Sequence, residues 1–207
     1  MKEELLEEIE FEIATLINSG FYKEYEILEI IEEQFIDEDI SFDSLAKIVS
    51  TKYREKIAIE KEWPKVTDFD KLKECFNDLI KEKVIAIHNA GYNLDEGVQD
   101  SFQVFHYLQD KKLKPEGFCF YHFQDIEKAI ESNSLFIAFG DFENNPEKAR
   151  LIGRKIANIL DKNGFIAVWD EDINKRIKIK LFYWKKRSDD EEYEIEGAVT
   201  SFLKYNS

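Results

Sequence analysis

Residues 117–140 read GFCFYHFQDIEKAIESNSLFIAFG. Phe118 to His122 is a short apolar run with aromatic side chains, which predicts a strand. Asp125 to Ser132 places Ile126, Ala129 and Ile130 at helical spacing behind a capping acid, which predicts a short helix. Leu135 to Phe139 is a second apolar run, and Gly140 ends it. Strand, helix and strand in immediate succession mark a unit that builds a sheet with its crossovers packed on it.

The pattern extends forward from Gly140. Asn145 followed by Pro146 predicts the cap and first position of a long helix to about Lys162, with Gly164 beyond its end. Phe165 to Trp169 predicts a third strand and Arg176 to Trp184 a fourth, with Ile177, Ile179 and Leu181 alternating against Lys178 and Lys180. Residues 171–175 form the turn between them. From Ser188 the tail is charged, with a last apolar stretch at Ala198 to Leu203. Backward from Gly117, Lys111 to Gly117 with Pro115 reads as a linker. Upstream lie helices over 3–18, 22–36, about 43–59 and 68–83, a strand at Val84 to His88, and a helix near 98–109. The expected fold class is α+β. An acidic helical domain with winged-helix character and a short strand spans 1–111. A β-α-β-α-β-β sandwich with a mixed, mostly parallel sheet spans 112–207.

Charge is distributed unevenly. The 207 residues carry 29 Lys+Arg against 44 Asp+Glu, a net charge of −15. Up to Asp43 there are 15 acidic residues and only Lys2 and Lys23 as basic ones, so nearly all the excess sits in the first fifth of the chain. An anionic surface repels phosphate backbones and anionic lipid headgroups. Nucleic acid and membrane are therefore excluded as first expectations, and a basic protein is the expected partner. The helix from Asp68 to Lys83 mixes Lys71, Lys73, Lys81 and Lys83 with five acids, which does not suit a DNA-recognition helix. No run of 18 apolar residues and no basic-then-apolar leader is present, and two cysteines suit a reducing compartment, so a cytoplasmic protein is expected.

Motifs of cofactor chemistry are missing. There is no G-x-G-x-x-G, no G-x-x-x-x-G-K-[ST], no G-x-S-x-G, no C-x-x-C, and no pair of histidines one helical turn apart. No cofactor, metal or assigned catalytic residue is expected. Cys75 and Cys119 sit among apolar neighbours and read as packing thiols. The densest polar stretches lie at strand ends, where parallel sheets host ligands. His122, Gln124 and Asp125 follow one strand, Asp141 another, and Asp170 a third, with Arg176 across the last turn. On one shared edge they would form a polar cleft: His122 and Asp125 as a proton shuttle with its orienting acid, the carboxylates as cation ligands, and Arg176 as counter-ion. The plainer expectation is that Asp125 caps its helix and that 170–172 is a solvated acidic turn.

At these residues the chain resembles a bacterial family of unknown function. The resemblance rests on Trp63, T-D-x-D-x-L from Thr67 to Leu72, A-G-Y from Ala90 to Tyr92, and G-x-x-F-Y-H-x-Q-D from Gly117 to Asp125. It continues through L-x-x-A-F-G from Leu135 to Gly140, Ile152-Gly153, Ala167 to Asp170, Arg176-Ile177, and W-x-x-R from Trp184 to Arg187. It covers about residues 63–187 and departs after Asp170, where Glu171 stands in place of Gly. The resemblance implies no activity. It directs attention to His122, Gln124, Asp125, Asp170 and Arg176. Two functions follow: a non-catalytic interaction protein of inhibitor or immunity type that meets its partner with the acidic front, or a small-ligand binder or hydrolase using the cleft around His122, Asp125 and Asp170.

Overall fold

The computed structural model describes residues 3–38 and 41–207; Lys2, one of the two bases of the acidic front, and Asp39 lie outside them. Among the described residues the chain forms eight helices and five strands and divides into two compact units.

The first unit holds the chain to Thr67 together with residues 185–190. Its helices are α1 (Glu3–Ser19), α2 (Glu24–Gln34) and α3 (Phe42–Glu60). The apolar positions at three- and four-residue spacing point inward. Ile9, Ile13, Ile27, Ile31 and Val49 are fully buried, each stabilising by about 1.5–3 kcal/mol. Gly20 ends α1 with φ +79, a left-handed turn. A Cβ there would come within 2.5 Å of the Lys186 carbonyl oxygen.

Residues 185–190 bind to these helices through charge. Lys186 is 1 % exposed and its Nζ donates to the Gly20 carbonyl at 2.9 Å. Lys56 and Glu60, one turn apart on α3, pair at 2.6 Å. Lys56 Nζ also donates to Ser188 Oγ at 2.9 Å, and Glu60 accepts the Ser188 N–H at 3.0 Å.

The second unit holds residues 68–184 and 191–207. It runs α4 (Asp68–Lys81), β1 (Val84–Ile87), α5 (Leu94–Asp110), β2 (Gly117–Phe120), α6 (Phe123–Ser132) and β3 (Ser134–Gly140). It then continues α7 (Pro146–Lys162), β4 (Ile166–Val168), β5 (Ile177–Lys180) and α8 (Ile195–Asn206). The sheet order is β1-β2-β3-β5-β4. The division expected at 111/112 does not coincide with these units. β1 pairs with β2 across it, Val84 opposite Gly117, which binds α4, β1 and α5 into the sheet-bearing unit.

The α+β class and the mixed sheet are as expected, but strand direction is not. Only β1–β2 is parallel; β2–β3, β3–β5 and β4–β5 are antiparallel. Alternation of apolar residues is the same in either direction, so periodicity carries no sign of it. A second departure lies at Leu181. It takes φ +54 and is 62 % exposed, so β5 stops at Lys180 and Phe182 turns inward instead. No described helix is long and apolar enough to cross a membrane.

Sheet cores follow from the register. Cys119 faces Phe139 across β2–β3, and Phe118 faces Gly140. α5 approaches β2 so closely that a Cβ at Gly97 would lie 2.2 Å from the Phe120 ring. Cys75 and Cys119 are fully buried thiols. Burial pushes both up, Cys75 to about 12, which leaves them protonated and unreactive at neutral pH.

Candidate functional site

The one parallel strand pair among the described residues, β1–β2, ends at His88 and at Tyr121-His122. Beyond β2 the chain stays pinned. Ala90 N–H donates to Tyr121 O at 2.9 Å, Phe123 N–H to Gly91 O at 3.0 Å, and Gln124 N–H to Tyr92 O at 3.2 Å. That clamp starts α6 directly after the strand, with His122 as its extended N-cap residue. Asp125 lies in the first turn, where the helix dipole and the His122 N–H, 3.4 Å from Oδ2, favour a carboxylate.

His122 and Asp125 meet Arg176, the residue before β5. His122 Nε2 is 3.1 Å from Asp125 Oδ2. Arg176 Nη1 spans both carboxylate oxygens, at 2.7 and 3.0 Å, and stands 3.1 Å from His122 Nε2. The guanidinium also covers the Phe136 ring at 5.1 Å, which Lys178 Nζ shares at 5.4 Å. Asp125 is fully buried and His122 is 3 % exposed.

Burial raises the Asp125 carboxyl to about 6, with Arg176, the His122 N–H and Lys128 pulling the other way. Burial lowers His122 to about 4, helped by Arg176 and Lys128 and opposed by Glu96. At neutral pH the pair is therefore a carboxylate beside a neutral imidazole. His122 Nε2 thus lies between the Arg176 guanidinium, which only donates, and the Asp125 carboxylate, which only accepts. His122 Nδ1 is buried without a hydrogen-bond partner. An unsatisfied buried polar atom of this kind costs about 1–3 kcal/mol.

The other expected site residues do not join this cluster. Asp141 is carried away by the antiparallel β3. Gly140 is level with Phe118, so Asp141 sits by the amino end of β2, a full strand length from His122. Its carboxylate accepts the Glu143 N–H at 2.7 Å and the Asn145 N–H at 2.9 Å, which shapes the loop into α7. It borders an open groove of about 600 Å³ with Phe102, Phe139 and Phe142. Asp170 pairs with Lys175 at 2.5 Å and accepts the Asp172 N–H at 3.3 Å, in an exposed turn. Val168 faces Lys178, which brings Asp170 level with Arg176 across the hairpin, yet Arg176 turns away to Asp125. The shared carboxylate edge is thus absent. Gln124 contributes its backbone N–H to the clamp on Tyr92. No described group of three or more His, Cys, Asp or Glu residues is placed to hold a metal ion.

Two features escaped the sequence. His88 Nδ1 and the Tyr121 hydroxyl are 2.8 Å apart, with the His88 ring stacked on Phe76 at 4.3 Å. The available signal was a histidine directly after a buried strand. In the first unit, an open groove of about 360 Å³ is lined by the apolar Ile31, Phe35, Ile36 and Leu45 together with Glu32, Glu33 and Glu38. Ile36 is 78 % exposed, a large apolar side chain in an acidic surround.

Glu171, standing where the family resemblance led us to expect Gly, has φ +64, the left-handed region that glycine suits. Arg154 holds it with two hydrogen bonds, at 2.9 and 2.6 Å. No curated protein and no solved structure matches the chain. The family described as a domain of unknown function (DUF6891) matches residues 2–188, nearly the whole chain, and the chain belongs to it.

Proposed function

We propose that this chain is a non-catalytic protein-interaction module, of inhibitor or immunity type, that engages a basic partner with its first unit in the bacterial cytoplasm. The observation that carries this reading is the acid-rimmed apolar groove at the end of α2. Interfaces form around an apolar anchor inside a polar rim. Here four apolar side chains line the groove, and Glu32, Glu33 and Glu38, also in its lining, are exposed. Glu29, Asp37 and Asp43 extend the exposed negative field, which speeds encounter with a positive surface and selects against acidic ones. On α1, partial burial and the nearby Glu8 raise the Glu12 carboxyl above its usual range, a crowding that a cationic partner relieves. The buried, protonated thiols support a reducing compartment.

Binding of an amphipathic basic peptide, an apolar residue flanked by lysines, tests the reading by calorimetry. Wild type binds it, and affinity falls steeply between low and physiological salt. The charge reversal Glu32→Lys/Glu33→Lys/Glu38→Lys, all on exposed side chains, removes binding while the circular dichroism spectrum stays unchanged. Equal binding of an acidic peptide of the same pattern, or undiminished binding by the reversed variant, rejects the reading.

A further inference from the structure

The outer part of the sheet carries an inference that is independent of the acidic groove and lies in the other unit. We propose that the free edge of β4, with the basic sheet face beside it, docks an extended acidic segment of a partner protein, which adds to the sheet as a further strand.

Three observations carry it. First, register composes the face. Across β3, β5 and β4 the pairings set Phe136, Lys178 and Val168 in one row and Ser134, Lys180 and Ile166 in the next. Residues directly paired share a face of the sheet. Ile177 and Ile179 point to the other face and are fully buried. α7 packs on β4 from that other face, where Phe139 and Trp169 meet and a Cβ at Gly153 would collide with the Trp169 ring. Ile166 and Val168 are left 52 % and 44 % exposed. Second, β4 is an edge. It ends the strand order, and among the described residues 166–168 make no backbone hydrogen bond outside their pairing with β5. The strand is short, but it carries neither the charge nor the proline that blunts an edge, and such an edge is a template for another strand. Third, charge selects the partner. From Ile173 to Trp184 there are four cations and no acid. Lys175 is paired with Asp170, and Arg176 with the buried Asp125. At the turn, Asp172 also lies near Lys175, and Glu171 is held by Arg154. Lys178 and Lys180 keep no ionic partner among the described residues, and neither row holds a carboxylate. The acidic excess of the chain lies in its first fifth, and local charges dominate beyond a screening length of about 8 Å.

These features fix the occupant. On an added strand every second side chain lies on the face of Ile166 and Val168. Acids at those positions reach over the two apolar side chains to Lys178 and Lys180. Single-stranded nucleic acid fits less well. Phe136, the aromatic residue of these rows, is already in contact with Arg176 and Lys178, and a nucleic acid cannot continue a strand ladder. A second β4 would supply apolar side chains but no acid.

The test is a titration of the full ¹⁵N-labelled chain with an octapeptide of alternating valine and glutamate, capped at both ends. The controls are the same peptide with lysine in place of glutamate, the glutamate peptide N-methylated throughout, and an oligothymidylate of equal length. The Ile166 to Val168 amide resonances should move saturably with the glutamate peptide, and at least one of them should exchange with solvent about tenfold more slowly when it is bound. Lys178→Glu/Lys180→Glu should weaken binding about tenfold or more. If that variant loses its native circular dichroism spectrum, Lys180→Glu, on an exposed side chain, takes its place. Amides of β4 unmoved up to about 1 mM peptide, equal binding of the lysine or N-methylated peptide, tighter binding of the oligothymidylate, or undiminished binding by the variant overturns the proposal. So does sedimentation equilibrium that finds the free chain dimeric with its β4 amides already protected. Binding of a basic peptide at the acidic groove should be the same in wild type and variant, so either reading can fail without the other.

Discussion

The two units each bury a charged cluster, and the clusters differ in how completely they are satisfied. In the first unit, Lys56, Glu60, Lys186 and Ser188 exchange short bonds, and the lysine ammonium groups have carbonyl, hydroxyl or carboxylate partners. In the second, Arg176 and Asp125 are equally well joined, but His122 presents a buried nitrogen to nothing. A closed cluster holds chain segments together: residues 185–190 are bound to helices more than 100 residues earlier. An open one keeps a group in a defined protonation state and leaves part of its bonding capacity for something else. Burial of charge alone does not distinguish a staple from a site; the count of satisfied atoms does.

The largest expected effect comes from breaking the staple. Glu60→Gln leaves the Lys56 ammonium, 4 % exposed, without its counter-charge. Removal of one partner from a buried pair costs about 3–5 kcal/mol. Urea unfolding of the intact chain should show that loss, with hydrogen exchange accelerating first at amides of α1 and α3. A loss under about 1 kcal/mol would mean that water already reaches Lys56, and the contrast with the second unit would disappear.

The next effect concerns the open cluster and its protons. Asp125 is raised to about 6 from an ordinary value near 3.8, so its contribution to stability declines as pH rises between them. His122 is lowered to about 4 from about 6.5, so its contribution grows over nearly the same window. Between pH 4 and 6 the folded pair holds one proton, on the carboxyl, and the unfolded pair holds one, on the imidazole. The two slopes cancel. In His122→Asn only the Asp125 slope survives, and relative to wild type the variant should lose stability as pH rises from 4 to 6. The slope should be roughly 1 kcal/mol per pH unit, read from urea midpoints. Parallel pH profiles for the two proteins would contradict the assignment of that proton.

The smallest effect is expected at Glu171. Glu171→Gly releases the left-handed backbone strain and forfeits only an exposed pair with Arg154. The melting temperature should hold or rise, and a clear fall would show that the Arg154 contact outweighs the strain.

Much of this architecture was legible in the chain. The helices from α1 to α4, and α7 between Asn145 and Gly164, follow from apolar spacing and from caps that act within a few residues. Each of the five strands was located within a few residues, because buried apolar runs and alternation are local signals. Leu181 was misplaced because alternation continues through it in sequence while its backbone turns left-handed. His122, Asp125 and Arg176 were identified as residues to examine, and they do meet. Asp141 and Asp170 were grouped with them on the assumption of parallel strands. Reversing β3 sends Asp141 to the far end, and Lys175, five residues along the turn, claims Asp170.

The sequence by itself determined the type and approximate place of most helices and strands, that the front of the chain is acidic, and that polar residues gather after β2. Those properties depend on neighbours a few positions apart, and periodicity and capping report them directly. Tertiary structure alone decided strand direction, the return of residues 185–190 to the first unit, and which carboxylate receives Arg176. Each of those choices is a competition among partners distant in sequence. It is settled by which pairing leaves the fewest buried charges and hydrogen-bonding atoms unsatisfied, and no local pattern records that outcome.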